Sequence, residues 1–280
     1  MNTLFKHFIL TRFNIVDESG YEVSYDYVNN DEYLSERFRL FELFCLPSVS
    51  GQTNKNFTWF VLFNDKLPEK WKKKVENYKQ ICPNFEQRYI NSIPENKWNN
   101  VLNFFAINEL KSLEDKPQYL ITTRIDNDDA FNLSFIDSIQ KYFLKNQEDA
   151  IINYKNGLQY IPKYNVLKNS TSPQSHFNTL IEKNTENLRT VLSFSHSECP
   201  ESFKSVCLKG KTPMWLETIH STNIVNNVFF QTKNLINDLF LIGFKYKNLN
   251  NFGIKKDIKR FNIYIWKVFF EYIFRKIIDK

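Results

Sequence analysis

Apolar residues recur along this chain in two alternating rhythms. Short runs rich in branched and aromatic side chains read as buried strands. Phe8-Ile9-Leu10-Thr11 is the first, ending in Arg12-Phe13-Asn14, and a polar loop follows through Asp31. Phe57 to Phe63 is the second, stopped by Asn64-Asp65, and Phe85 to Ile90 the third. Tyr119-Leu120-Ile121-Thr122-Thr123-Arg124-Ile125, preceded by Pro117, is the fourth. Between them the spacing turns helical. Leu34, Phe38, Phe41 and Cys45 share one face, and Pro47 is expected to kink or end that helix. Residues 68–80 read as a basic amphipathic helix, and Trp98, Leu102, Phe105, Ile107 and Leu110 mark another. Strands alternating with helices predict an α/β fold with a mostly parallel central sheet and right-handed crossovers.

The pattern is looser beyond Asn132. A helix is expected to about Leu144. Asn156-Gly157, between the runs Ala150–Tyr154 and Leu158–Ile161, predicts a hairpin. Residues 165–191 read as irregular and polar, with a strand start at Ser175-His176-Phe177-Asn178. Trp215 to His220 is a short segment before Ser221-Thr222-Asn223. No internal repeat and no long linker interrupts the chain, so one domain is expected over 1–254, followed by a tail at 255–280.

The fourth strand ends in Asp126-Asn127-Asp128-Asp129. In open α/β sheets the carboxyl ends of strands are where ligands bind. Three carboxylates in four positions repel one another unless a cation sits among them. Hard oxygen ligands at this spacing suit Mg²⁺ or Mn²⁺, above all when a substrate diphosphate completes the shell. The plainer reading is an Asx-rich turn capping the next helix, since Ser134-x-x-Asp137 has the form of a capping box.

Composition narrows the classes. Aromatic residues make up 16% of the 280, 27 of them Phe, which excludes a disordered chain. Only 6 glycines are present, and neither G-x-G-x-x-G nor G-x-x-x-x-G-K-[ST] occurs, which argues against a Rossmann dinucleotide enzyme or a P-loop NTPase. Cys45, Cys82, Cys199 and Cys207 form no C-x-x-C pair, and with His196 they fit no zinc spacing, so they read as free thiols in a reducing compartment. The N-terminus has no signal-peptide pattern and no 18-residue apolar stretch occurs, so a cytoplasmic protein is expected. The charge is uneven. Residues 255–280 hold eight Lys/Arg and three acids, a net of +5, against a net of +1 elsewhere. The excess is a property of the tail and not a nucleic-acid-binding face. Ile258, Phe261, Ile265, Phe269, Tyr272 and Ile273 recur at helical spacing there. A basic amphipathic helix suits an anionic membrane surface, and packing on the domain or on a second subunit is the open alternative.

Four segments, taken in order, carry a resemblance. They are Thr11-Arg12-Phe13-Asn14; Leu46-Pro47-Ser48-Val49 with Gln52-Thr53 and Asn56-Phe57-x-Trp59; Arg124-x-Asp126-Asn127-Asp128-Asp129-Ala130; and Trp215-x-x-x-x-His220-x-x-Asn223. Together they resemble the rhamnosyltransferase family of bacterial glycosyltransferases over roughly residues 7–226, with Ser221 standing where a glycine is expected. The resemblance implies a GT-A-like fold and sugar transfer from a nucleotide-diphosphate donor to a saccharide or lipid-linked acceptor, as in envelope polysaccharide synthesis. It implies Asp126 and Asp128 as the motif carboxylates, with Asp128 the direct metal ligand and Asp129 a ligand or its orienting neighbour. His220 is implied as a third, imidazole ligand.

Other roles follow from position. Arg124 is placed to contact the diphosphate bidentately or to pair with Asp126. Glu217, three residues before His220 and hence on the same side of a helical turn, is a candidate general base or a solvated glutamate. Trp215 either stacks on an acceptor sugar or belongs to the core. Arg12, Asn14 and Asp65 end the first two strands, where a nucleoside would lie, and each also suits a turn. His7, His176 and His196 have no assigned partner. Two other classes stay open at this point: a metal-dependent phosphohydrolase or nuclease built on the same acids, and a non-enzymatic scaffold in envelope assembly.

Overall fold

The structure is a computed structural model that describes residues 3–15, 25–90, 98–161, 166–172, 175–193 and 203–220. The tail at 255–280, Ser221-Thr222-Asn223, His196 and Cys199 lie outside the described residues.

The expected strands form and pair as the alternation with helices requires. β1 (Phe5–Arg12) lies between β2 (Thr58–Asn64) and β4 (Tyr119–Arg124), parallel to both, and β3 (Phe85–Ile90) extends the sheet beyond β2. Seven strands make up the main sheet, in the order β10-β6-β9-β4-β1-β2-β3. β6 (Ala150–Tyr154) and β10 (Lys204–Leu208) are parallel to each other, and β9 (Thr179–Lys183) runs antiparallel between β4 and β6. Strand order reverses between β1 and β4, the kind of switch point at whose carboxyl ends open α/β sheets bind ligands. The result is the mostly parallel α/β class expected from the sequence. A second sheet has the order β5-β11-β7-β8, from Ala130–Phe131, Trp215–Thr218, Asn156–Ile161 and Val166–Thr171.

Side-chain alternation gives the main sheet two apolar faces. Phe8, Leu10, Phe60, Leu62 and Leu120 cluster with Ala106 and Leu110 of α6 (Trp98–Ser112). Ile9, Trp59, Val61, Phe63 and Ile121 cluster with Phe38, Phe41, Ile136, Ile139 and Phe143. Both faces covered by helices is what a mainly parallel sheet needs, because each strand is then buried on both sides. The expected basic helix is two pieces, α4 (Glu69–Glu76) and α5 (Tyr78–Ile81), after α1 (Tyr25–Asn29), α2 (Asp31–Leu40) and α3 (Leu46–Ser50). Cys45 and Cys82 are free and buried, and Cys207 is free and half-buried.

Pro47 does not end its helix. α2 runs through a π turn, Phe41–Cys45, into α3. The Leu46 amide reaches back to the Phe41 carbonyl, five residues away, and the bulge accommodates a proline that has no amide hydrogen to give. The wider turn lets one helix serve two sheets. Phe38, Phe41 and Cys45 face the main core, while Leu40, Leu43 and Phe44 pack on Ala130, Leu158, Tyr160 and Leu216 of the second sheet.

Two expectations are corrected. Residues 165–191 are not irregular, since they supply β8 and β9. The β9 run is short and flanked by polar residues, and its burial comes from pairing with β4 and β6, which are distant in sequence. Asn156-Gly157 is not a hairpin turn. β6 and β7 belong to different sheets, and the chain crosses from one to the other at Lys155. Gly157 lies in β7 because Trp215 lies on it: a Cβ there would stand 2.0 Å from the indole Cδ2. Trp215 is core, 2% exposed, its Nε1 donating to the Tyr154 carbonyl at 2.8 Å and its ring stacked on Phe177 at 5.2 Å. Gly157→Ala is expected to cost about 3 kcal/mol of stability, because that ring is too confined to yield. Urea denaturation checks this, and a loss below about 0.5 kcal/mol would show that the contact relaxes.

Among the described residues, His7 is the histidine buried inside the main sheet. Gln140 Nε2 donates to its Nδ1 at 3.1 Å, so its Nε2 carries the proton and donates to the Thr123 hydroxyl at 2.8 Å. The Thr123 hydroxyl in turn meets that of Thr179 at 2.7 Å. Burial pulls His7 down to about 3. The unfolded chain therefore binds a proton that the folded chain refuses. Stability is complete above pH 6.5 and falls by about 1.4 kcal/mol per unit as pH drops toward 3. Between pH 6.5 and 5, His7→Gln is expected to flatten the slope of unfolding free energy against pH. An unchanged slope would remove His7 as the cause.

Candidate functional site

The acidic residues occupy the link between the two sheets. β4 of the main sheet ends at Arg124, and β5 of the second begins at Ala130. The loop closes on itself through the Asp129 amide and the Asp126 carbonyl, 3.3 Å apart. It is tied on both sides. Asn127 Nδ2 donates to the carbonyls of Arg12 at 3.0 Å and Phe13 at 2.8 Å, sewing the loop to the end of β1. Thr218 on β11 gives its amide to Asp129 Oδ1 at 2.8 Å and its hydroxyl to the Asp128 carbonyl at 2.6 Å. The acids do not cap the next helix, α7 (Phe135–Asn146). Asn132 Oδ1 takes the Ser134 amide there, and Asp137 pairs with Lys141, so the capping box does not form.

Each aspartate has its own basic neighbour. Arg124 Nη2 lies 3.3 Å from both carboxylate oxygens of Asp126, the ion pair weighed as one of its two roles. Asp128 Oδ2 receives Arg37 Nη1 at 2.7 Å and His220 Nε2 at 2.8 Å. Asp129 Oδ2 meets His176 Nε2 at 3.0 Å. Burial raises the Asp126 carboxyl, but Arg124 and Arg12 outweigh it and hold the group below the usual carboxylate range. Asp128 is likewise lowered, against burial, chiefly by Arg37 and His220. Asp129 goes the other way: burial and the Asp128 charge push it up. Burial disfavours the His176 imidazolium, yet the bond to Asp129 raises it overall. One proton shared between Asp129 and His176 satisfies both tendencies.

Asp126, Asp129 and His176 bring one ligand atom each to within 4.8 Å of one another. Two carboxylate oxygens and an imidazole nitrogen form a donor set suited to Mn²⁺ or Mg²⁺, and a cation there would displace the shared proton. This is the three-ligand group that the described residues assemble. The expected pair Asp128 and His220 is in contact, with Arg37 on the same oxygen.

The other site residues fall as follows. Arg12 is crowded, lowered from its ordinary value by burial and by the Arg124 and Arg37 charges, with Asp126 and Asp128 opposing. Asn14 is a buried brace: its amide nitrogen donates to Asn29 Oδ1 at 2.9 Å, and its oxygen accepts the Asn64 amide at 3.0 Å. Asp65 ends β2 with its amide on the Ile90 carbonyl, and its Oδ1 is buried with no hydrogen-bond partner among the described residues. Glu217 is neither on a helical turn nor solvated. It lies in β11, 9% exposed, and Gln159 Nε2 donates to its Oε2 at 2.7 Å. β11 is held extended by pairing on both edges, with β5 and β7, which the local sequence did not reveal. Sequence reasoning missed Arg37, His176 and Thr218. Arg37 is on a helix 91 residues from Asp128, and His176 is 47 from Asp129.

An acid-rich loop flanked by Arg12 and Arg124 thus lies at the carboxyl edge of a mostly parallel sheet, the edge at which α/β proteins commonly bind ligands. The chain belongs to the family described as "Putative rhamnosyl transferase", whose model matches residues 5–232, and so to a family of sugar transferases. Among solved structures, S. aureus TarS 1–349 is similar at 13% identity and a TM-score of 0.43, covering 76% of this chain and 60% of that one. The same protein in complex with UDP-GlcNAc matches at 13% identity and a TM-score of 0.41, covering 78% and 60%. The chain thus spans about 60% of the length of these TarS structures. No curated protein matches it. Among the described residues, no helix is long and apolar enough to cross a membrane.

Proposed function

We propose that this protein moves a sugar, a 6-deoxyhexose such as rhamnose, from a nucleoside-diphosphate donor to a hydroxyl of a saccharide or lipid-linked acceptor. Family membership supports transfer over hydrolysis or a scaffold role. The observation that carries the reading is the convergence of Asp126, Asp129 and His176 at the carboxyl edge of β4, beside Arg12 and Arg124. When bound among these ligands, Mn²⁺ or Mg²⁺ supplies Lewis-acid neutralisation of a departing diphosphate. Arg12 and Arg124 add fixed positive charge at the same place and need no reorganisation to do so. Asp65, directly after β2, is the residue proposed to hold the nucleoside by hydrogen bonding. Asn14 acts at one remove, holding the ends of β1 and β2 together.

Glu217 is the proposed base. Gln159 fixes one of its oxygens and so orients the carboxylate. In the transfer, the acceptor oxygen bonds to the sugar's anomeric carbon as its proton passes to Glu217. The bond from that carbon to the donor phosphate breaks, and the electron pair leaves on the diphosphate. The basic tail at 255–280 is the segment proposed to hold the protein at a membrane bearing a lipid-linked acceptor.

Two variants separate the roles. Asp129→Asn should weaken Mn²⁺ binding and lower turnover about a hundredfold, roughly 3 kcal/mol of transition-state stabilisation. Donor hydrolysis across a panel of nucleotide sugars measures it, and near-normal turnover would sink the metal assignment. Glu217→Gln should keep donor and metal affinity but lose transfer. Transfer at the normal rate would place the base elsewhere.

A further inference from the structure

We infer that Thr218 is a positioning residue for the proposed transfer, its hydroxyl fixing where Glu217 stands against the acidic loop; this rests on Glu217 being the base. β11 lies between β7 and β5 and is held differently by each. On the β7 side the pairing runs through Thr218, and the Ile219 amide adds a bond to the Tyr160 carbonyl at 2.8 Å. On the other side β5 is two residues long. Its antiparallel pairing sets Trp215 opposite Phe131 and Leu216 opposite Ala130, and stops there. Carried further, that register would set Glu217 opposite Asp129 and Thr218 opposite Asp128. The chain there is instead the acidic loop, closed by the Asp129 amide on the Asp126 carbonyl, so a regular ladder cannot continue.

Thr218, fully buried, stands in for the missing ladder. Its amide turns to Asp129 Oδ1 at 2.8 Å, and its hydroxyl meets the Asp128 carbonyl at 2.6 Å. Any residue but proline could give the amide bond. The hydroxyl bond needs Thr or Ser, and without it a buried carbonyl loses a donor. Glu217 is the preceding residue. Gln159 ties its carboxylate to β7, while the backbone it shares with Thr218 ties it to the acidic loop. Its charge acts on His176, the partner of Asp129, so base and acids lie within electrostatic reach of one another. Positioning of this kind governs rate more than affinity, since a misplacement of about 1 Å can cost about a hundredfold in turnover.

A double-mutant cycle separates positioning from a merely structural role. The full-length protein is assayed with Mn²⁺ and dTDP-rhamnose, or the panel donor that the wild type hydrolyses fastest, with water as acceptor. The water oxygen bonds to the anomeric carbon, its proton passes to Glu217, and the electron pair of the broken bond leaves on the nucleoside diphosphate. Thr218→Val keeps the amide bond and the shape but has no hydroxyl. It should lower kcat about tenfold, with Mn²⁺ and donor affinities within about threefold of wild type. Thr218→Ser should restore most of the rate. Glu217→Gln should cost about a hundredfold, and adding Thr218→Val to it should cost nothing more, because Thr218 acts through Glu217. Circular dichroism confirms folding, and if Thr218→Val fails to fold, Thr218→Ala takes its place in the same cycle. Losses that multiply in the double variant, to about a thousandfold, would make Thr218 a structural residue and overturn the inference while the base stands. A wild-type rate in Thr218→Val would overturn it too. A wild-type rate in Glu217→Gln, or a wild type that turns over no donor, would overturn the reading of the base and this inference with it.

Discussion

Asp128 and Asp129 are adjacent in sequence, and their side chains are 8% and 4% exposed. Two carboxylates so placed, with Asp126 beside them, repel one another with little water to screen them. Breaking any of their partnerships would leave an uncompensated buried charge, which is costlier than never having made the pair. Much of the fold answers that constraint. α2 brings Arg37, β4 brings Arg124, the segment before β9 brings His176, and the chain beyond β11 brings His220. Neutral hydrogen bonds from Asn127 and Thr218 then fix the loop that carries the acids.

The same loop joins the two sheets, so the electrostatic problem and the architectural one are solved together. The π turn before Pro47 lets one helix pack on both sheets, and Arg37 reaches Asp128 from that helix. Gln52 extends the bracing: its amide donates to the Ser48 and Asn132 carbonyls, and its oxygen takes the Ile136 amide. Gln52-Thr53, read first as part of a family pattern, therefore has a physical task, which is to lock α3 to the start of α7 beneath the acidic loop.

What was legible in the sequence is what depends on local pattern. β1, β2 and β4 are largely apolar runs because they are buried on both faces, and the acidic cluster at the mouth of β4 follows from strand direction alone. What was illegible depends on partners far along the chain. β9 is a short run among polar residues and owes its strand state to β4 and β6. Asn156-Gly157 carries a turn signal, but its glycine answers to Trp215, 58 residues on, and no rule of turn chemistry contains that information. Glu217 and His220 looked like neighbours on a helical turn because spacing was the only evidence. Once β11 is extended, the two side chains have different partners, Gln159 and Asp128.

His176 shows why an acidic motif underdetermines its own chemistry. The sequence places three carboxylates together but does not say which of them a cation would see. That depends on which basic groups arrive and at what distance. A guanidinium at 2.7 Å neutralises the carboxylate oxygen it holds, whereas an imidazole at 3.0 Å is itself of a metal-ligand type. The motif D-N-D-D is thus partnered by residues outside it: Asp128 by Arg37 and His220, and Asp129 by His176. The spacing of the acids fixes where the charge lies, and the placement of Arg37, His220, Arg124 and His176 fixes what neutralises it.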